Sequence, residues 1–420
     1  LHAPYSDKSL LRNYLSYELA RDMGRYASRT RFCELVINGD YKGLYIFMEK
    51  VKRDNNRVDI SQLEPDEITG DDLTGGYIVK IDKWDGETND GWYSESPLGG
   101  FDGVWYQYHY PKPDDIVEEQ RDYIMDYITD FETLMASESY DDPGAGYYEQ
   151  VNLESFIDVS LMSEISKNVD AYRLSAYMYK DKDSVDGRLT LGPIWDYNLA
   201  FGNADYYDGW NPEGWQMDVE LGNDGFKIPF WWYRIWDDTT YVTAFNQRWH
   251  VLRQSIFSED NIINLIDSAT TLIDDAQARN FQRWPVLDEY VWPNAYVGGS
   301  YANEIEYLKN WIHARLEWMD EQTFMKSIPP LLVMDYHLND PFPNPFNPVT
   351  TIGFTVPRTE LVRVNIYDAM GRQVENLLHD VINPGQYTMT WNGSHRSSGI
   401  YFVQLLGGEY SQVRKIMLVK

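Results

Sequence analysis

Two carboxylates stand where the chain leaves regular structure. Asp170 closes a helical run at Lys167-Asn168-Val169-Asp170, and Asp196 ends a strand-like run in Gly192-Pro193-Ile194-Trp195-Asp196-Tyr197-Asn198. Two short strands, residues 174–179 and 189–194, flank a turn at 181–187 and would bring both carboxylates to the same end of a sheet. Phosphoryl transfer uses such a pair: one carboxylate orients the attacking hydroxyl, and the second holds the Mg2+ that bridges the phosphates. Asn198, two residues beyond Asp196, would supply a further oxygen ligand. The plainer readings are a helix-terminating residue for Asp170 and a turn residue for Asp196. Asp181, Asp183 and Asp186 lack the spacing and the closing Glu of a calcium loop, so they read as a solvated turn.

Other residue types offer different chemistry. Lys50, Lys52, Arg53 and Arg57 form a basic cluster in an acidic region, either a solvated face or a phosphate contact. Trp210, Trp215, Trp231, Trp232 and Trp236 are either core rings or sugar-stacking platforms, and paired carboxylates also cleave glycosidic bonds, so a carbohydrate-active protein is an alternative. The seven His are scattered without ligand spacing, which argues against a zinc enzyme. Cys33, the single cysteine, lies in an apolar run and reads as a buried strand residue; one cysteine forms no intrachain disulfide.

The elements that must position these residues fall into two groups. Residues 7–23 carry apolar positions at helical spacing behind a Ser6-Asp7 cap. Residues 32–37 and 41–49 form two β-rich runs joined by Asn38-Gly39, a hairpin signal, and residues 76–82 form another strand. Residues 118–137 return to helical spacing, Asn152 caps a further helix, and residues 229–321 are mostly helical. An α+β fold follows, a small sheet-bearing half and then a mainly helical half. Residues 328–348 read as a linker, because repeated prolines block helix and ladder hydrogen bonds. Alternating runs at 350–356, 361–367, 386–391, 400–405 and 412–419 predict a small antiparallel β-sandwich.

Bulk numbers bound the function. The 420 residues, 43% apolar, carry a formal net charge of -30, which argues against nucleic acid as a partner because phosphate backbones are bound by Lys and Arg. Residues 341–420 hold seven Lys/Arg against five Asp/Glu, so the acidity lies in residues 1–340. It reads as a solvated anionic surface or as a cation-loaded cleft. No stretch approaches the ~18 consecutive apolar residues of a membrane span.

The tail has ordered motifs: Phe342-Pro343-Asn344-Pro345-Phe346-Asn347-Pro348, Ile366-Tyr367-Asp368 with Gly371-Arg372, Trp391-Asn392-Gly393, Ser398-Gly399-Ile400-Tyr401-Phe402, and Lys415 to Lys420. It resembles the C-terminal sorting domain of type IX secretion, which overlaps with the FlgD-like immunoglobulin fold. That resemblance implies recognition of residues 341–420 by the type IX machinery and a secreted or cell-surface protein. A plain sandwich spacer is the alternative.

The first domain resembles the CotH (spore-coat protein H) kinase-like family. Asp7 with Leu11-Arg12-Asn13, Ile37 to Tyr45 leading to Glu49-Lys50-Val51, Gly75-Gly76-Tyr77-Ile78, Asn168 with Asp170, and Trp195 to Asn198 carry the resemblance in family order. It implies a reduced protein-kinase-like domain at residues 1–327 that transfers phosphate from ATP to Ser or Thr of partner proteins at the cell surface, using Mg2+. Asp170 resembles the catalytic-loop Asp and Asp196 the metal-binding Asp. Glu49 and Lys50 would lie where a nucleotide base docks. Ser175 stands where kinases place a second metal-ligating Asn, and no glycine-rich phosphate loop is present. The phosphate-gripping Lys is expected on strands upstream of Leu1; within the chain the candidates are Lys80 and Lys180, and Lys180 is the one assigned to the cofactor. A catalytically silent module of the cell envelope is the alternative these departures favour.

Overall fold

The computed structural model describes residues 1–83, 91–222, 225–323, 336–339, 341, 343–357, 360–382, 385–408 and 410–420. The chain divides into two units, Leu1–Phe324 and Met325–Lys420.

In the first unit, helix α1 (Arg12–Asp22) is buried on nearly every side. It begins five residues after the expected Asp7 because that carboxylate folds its own turn. Asp7 accepts the Ser9 and Arg12 backbone N–H groups and pairs with the Arg12 guanidinium at 2.6 Å, while Leu10 takes a left-handed φ of 65°. Strands β1 (Thr30–Ile37) and β2 (Asp40–Met48) form the expected hairpin, with positive φ at Asn38 and Gly39. Cys33 lies on β1 but is only half-buried, since much of that strand faces solvent.

A five-stranded antiparallel sheet is the centre of the unit, ordered β4-β5-β3-β6-β7. It contains β3 (Tyr77–Ile81), β4 (Gly91–Ser94), β5 (Val104–Tyr110), β6 (Ala176–Lys180) and β7 (Thr190–Leu191). β4 and β5 were not legible as strands: their run of aromatic and polar residues has no clean apolar alternation. Successive side chains point to opposite faces. One face packs against helix α3 (Glu118–Ala136): Tyr77 stacks on Tyr123, and Tyr106 donates its hydroxyl to Glu132 at 2.7 Å. The other face carries Ile78 and Tyr177, which pack with Val51, Val58 and Ile60 after the hairpin.

Helix α4 (Leu153–Ser166) runs beneath the sheet, capped by the Asn152 side chain on the Ser155 N–H. Helices α6 (Phe230–Asp237), α7 (Thr239–Arg253), α8 (Glu259–Arg283) and α9 (Tyr301–Gln322) complete the helical half. A short helical turn, α5 (Asp183–Asp186), replaces the plain turn expected between β6 and β7. The β1–β2 hairpin leans on α8: Asn280 Oδ1 accepts the Leu44 N–H, and a Cβ on Gly43, whose φ is 113°, would come within 2.6 Å of that oxygen.

The second unit is two antiparallel sheets, β11-β10-β13-β14 and β12-β9-β8. They comprise β8 (His337–Leu338), β9 (Val349–Val356), β10 (Glu360–Asp368), β11 (Gln373–Ile382), β12 (Gly385–Asn392), β13 (Gly399–Gly407) and β14 (Tyr410–Leu418). The linker assigned to 328–348 falls partly outside the described residues, at 328–335, 340 and 342. Its described remainder belongs to the sandwich. β8 pairs with β9, and Leu338 and Phe346 are buried in the core, because apolar side chains between the prolines have a core to enter.

Candidate functional site

α1 and the loop after β7 fix Asp196. Its backbone N–H donates to the Tyr17 hydroxyl at 3.2 Å, the next residue's N–H donates to Asn13 Oδ1 at 2.7 Å, and Tyr17 stacks on Trp195. These contacts hold Asp196 at a φ of 62°. Its side chain is exposed to solvent, with many protein atoms close by. That surrounding protein, together with the charges of Asp170 and Asp82, pushes its pKa up to about 6, and Lys83 opposes the shift.

The end of α4 fixes Asp170. Lys167 caps the helix at a left-handed φ of 43° and sends its buried ammonium to Asp208 and to the carbonyls of Asn211 and Glu213. The Asp170 N–H donates to Asn168 Oδ1 at 3.3 Å, and Arg173, itself buried, meets Asp170 Oδ1 at 3.2 Å while lying over the Tyr207 ring. Among the described residues, seven of the nine non-glycine residues with positive φ fall between 167 and 208, around these two carboxylates. Backbone held in sparsely populated regions is stabilised by its surroundings and gathers at functional sites.

The structure therefore brings Asp170 and Asp196 into each other's electrostatic field. It adds Asp82, just beyond β3, which the sequence reading had placed only as the end of a strand. Among the described residues, no three His, Cys, Asp or Glu side chains form a ready cation cage. Asn198 follows in the Asp196 loop, half-buried, with its carbonyl accepting from Asn203 at 2.8 Å. Ser175 is half-buried at a φ of 51°.

Glu49 and Lys50 line a cleft of about 960 Å³ together with Lys52, Arg53, Arg57 and His109. Glu49 is already engaged. Partial burial raises its pKa, but hydrogen bonds from Arg29 and the charge of Arg57 outweigh that and hold it below the usual value. Lys180 is not brought to the carboxylates, contrary to its assignment as a cofactor contact. It is a buried brace on the α3 face, over the Tyr123 and Tyr127 rings, donating to the Thr74 carbonyl and to Asp183 at 2.7 Å. The alternation of β6 decides this: Tyr177 points to one face and Lys180 to the other. Of the tryptophans, Trp231 and Trp232 are buried, Trp215 and Trp236 pack with Phe245, and Trp210 alone of the five is largely exposed.

A family model described as CotH kinase protein matches residues 1–319. The chain belongs to the CotH kinase protein family. A second model, described as a secretion system C-terminal sorting domain, matches residues 341–420. No curated protein matches the chain. The CotH domain is thus the first unit, an α+β kinase-like domain, and the sandwich is its sorting domain. The protein is exported through the type IX machinery and is secreted or held at the cell surface. Among the described residues, no helix is long and apolar enough to cross a membrane.

Proposed function

We propose that the CotH domain transfers phosphate from ATP to Ser or Thr of partner proteins outside the cytoplasm. The observation that carries the reading is the Asp196 carboxylate, open to solvent in the fields of Asp170 and Asp82. A carboxylate crowded by like charge is a place where a cation is favoured. The donor set is all oxygen, which fits Mg2+, an ion that keeps water and phosphate in its shell. Bound at Asp196, with Asn198 as the next oxygen donor, Mg2+ would neutralise the charge on the transferring phosphates.

The chain's own groups do the rest. Asp170, held by Arg173, accepts the proton of the incoming hydroxyl and aims its oxygen at phosphorus. Lys50, at the lip of the large cleft, takes the nucleotide end, with Glu49 fixing the adjoining hairpin through Arg29. The test is label transfer from γ-labelled ATP to surface proteins by the full chain, compared with Asp170→Asn and Asp196→Asn. Loss of about a hundredfold to ten-thousandfold in each variant is expected; equal incorporation by all three proteins discards the reading.

A silent envelope module is the second reading. Ser175 at the second metal position and the missing cation cage among the described residues favour it. It predicts that Mg2+ with ATP leaves the melting temperature unchanged, whereas a nucleotide site raises it by mass action.

A further inference from the structure

Among the described residues, the tryptophan most open to water is Trp292, 68% exposed, and it is not a loose ring. Its indole lies parallel to the Tyr206 ring, with an interplanar angle of 3° and centroids 6.0 Å apart, so one face is stacked and the other is left to solvent. Tyr290, also exposed, stands two residues before it and donates its hydroxyl to Asp205 Oδ2 at 2.7 Å, next to Tyr206 in the chain. The two segments that carry these side chains are bonded to each other from behind. The Asp205 N–H donates to the Pro293 carbonyl at 2.9 Å, and the Ala295 N–H donates to the Asn203 carbonyl at 2.8 Å. Buried Asn294 donates to the Ser6 carbonyl at 2.6 Å and to Asn203 Oδ1 at 3.0 Å. A flat aromatic surface with a polar edge is therefore held in place before any partner arrives, which lowers the ordering cost of binding.

The surroundings select the partner. A cationic one needs spare negative charge, yet Asp208 is paired with Lys167 at 3.0 Å, Asp170 with Arg173, and Asp205 already accepts from Tyr290. An anionic one meets Asp205 in the region that carries the chain's excess acid. A purely apolar one would strip water from the Asp205 carboxylate and the Tyr290 hydroxyl. A neutral sugar meets none of these costs: its C–H face covers the open indole, and its vicinal hydroxyls donate to Asp205 and exchange hydrogen bonds with Tyr290. We propose that Trp292, Tyr206, Tyr290 and Asp205 form a binding surface for neutral polysaccharide, outside the cytoplasm where the sorting domain delivers the chain. The surface uses none of the residues assigned to phosphoryl transfer, so it stands independently of that reading. It begins beside the candidate site, since Tyr206 lies in the fields of Asp170 and Arg173.

The test is affinity electrophoresis of the full chain through laminarin, xylan, glucomannan and dextran, beside Trp292→Ala and Tyr290→Phe, with polylysine titrated in parallel. The unmodified chain is expected to be retarded by at least one of the four polysaccharides. Trp292→Ala should weaken that binding about tenfold and Tyr290→Phe, which keeps the ring, about threefold. Both side chains are exposed, so the melting temperature should hold in each variant; if Trp292→Ala unfolds, Tyr290→Phe decides alone. No retardation by any of the four, or equal retardation of all three proteins, overturns the proposal. Binding of polylysine that is lost in Trp292→Ala would assign the surface to a cationic partner instead, and self-association lost in that variant would assign it to a second copy of the chain; either result overturns the proposal as well.

Discussion

The sorting domain and the CotH domain differ in what they bury. In the sandwich the described core is apolar: Leu338, Ile352, Phe354, Val364, Trp391 and Val403 stand among side chains almost wholly withdrawn from water. The CotH domain buries charge. Asp7 pairs with Arg12, Asp158 with Arg25 and Arg248, and Glu164 with Arg315, whose side chains are both fully buried. Buried ion pairs contribute little net stability, and they become costly when one partner is lost. They do fix geometry. Asp7 shapes the entry to α1, and Glu164 on α4, shortly before Lys167 and Asp170 in the chain, accepts the Gln216 and Met217 N–H groups. The sorting domain is built from alternating apolar strands, while the CotH domain combines ionic braces with positive-φ loops around Asp170 and Asp196.

The comparison is broken most directly by Arg315→Ala. It leaves Glu164 without its cation, and burial already pushes the Glu164 pKa up and lowers that of Arg315 to about 10. Calorimetry is expected to show a loss of about 3–5 kcal/mol in the CotH-domain transition, with the sorting-domain transition unmoved. A loss below ~1 kcal/mol would mean that the braces do not carry the domain. The converse substitution is Trp391→Ala, which empties the space between Phe346 and Tyr401. About 3 kcal/mol or more is expected to leave the sandwich transition, with label transfer by the CotH domain unchanged.

A smaller effect sharpens the electrostatic side. Asp196 has a folded-state pKa of about 6 against an ordinary 3.8. Between those values the folded protein binds more protons than the unfolded one, so this group makes stability fall as pH rises from about 4 to 6. Asp196→Asn removes that slope; the variant should melt higher than the unmodified chain at pH 7 and alike at pH 3.5. Ionisation of the same carboxylate should make label transfer rise as pH passes through about 6. An unchanged slope in the variant would show that Asp196 is not in the acidic field. Smaller still is Arg29→Ala. Arg29 is largely exposed, and no resolvable shift of the chemical-denaturation midpoint is expected. Lys180→Met completes the series, with an affinity for Mg·ATP within about twofold of the unmodified chain, since that lysine braces the far face of the sheet.

Legibility followed the same division. The hairpin at Asn38-Gly39 and most sandwich strands could be read, because turn chemistry and period-2 alternation are local signals. β11 was missed, being an edge strand with polar residues on both faces. In the CotH domain Asp170 and Asp196 were singled out from their places at element ends, and the hairpin logic between them agrees with the β6–β7 pairing. Asp82 and Arg173 were not, because each is joined to the site by strand pairing or by a loop, and Lys80 was named only as a candidate beside Lys180. Lys180 was misplaced for the same reason: the sequence shows a lysine at the end of a strand, and the register of that strand decides which face it occupies.

By itself the sequence determined the division into an acidic α+β domain and an antiparallel sandwich, the family motifs, and the two carboxylates, since composition, periodicity and short motifs are properties of neighbouring residues. Tertiary structure alone decided which charges act on one another. The fields at Asp196 come from β3 and from the loop after α4, and the partners of Glu164 come from α9 and the 216–217 loop. Coulomb interactions depend on distance in space, and strand pairing fixes that distance.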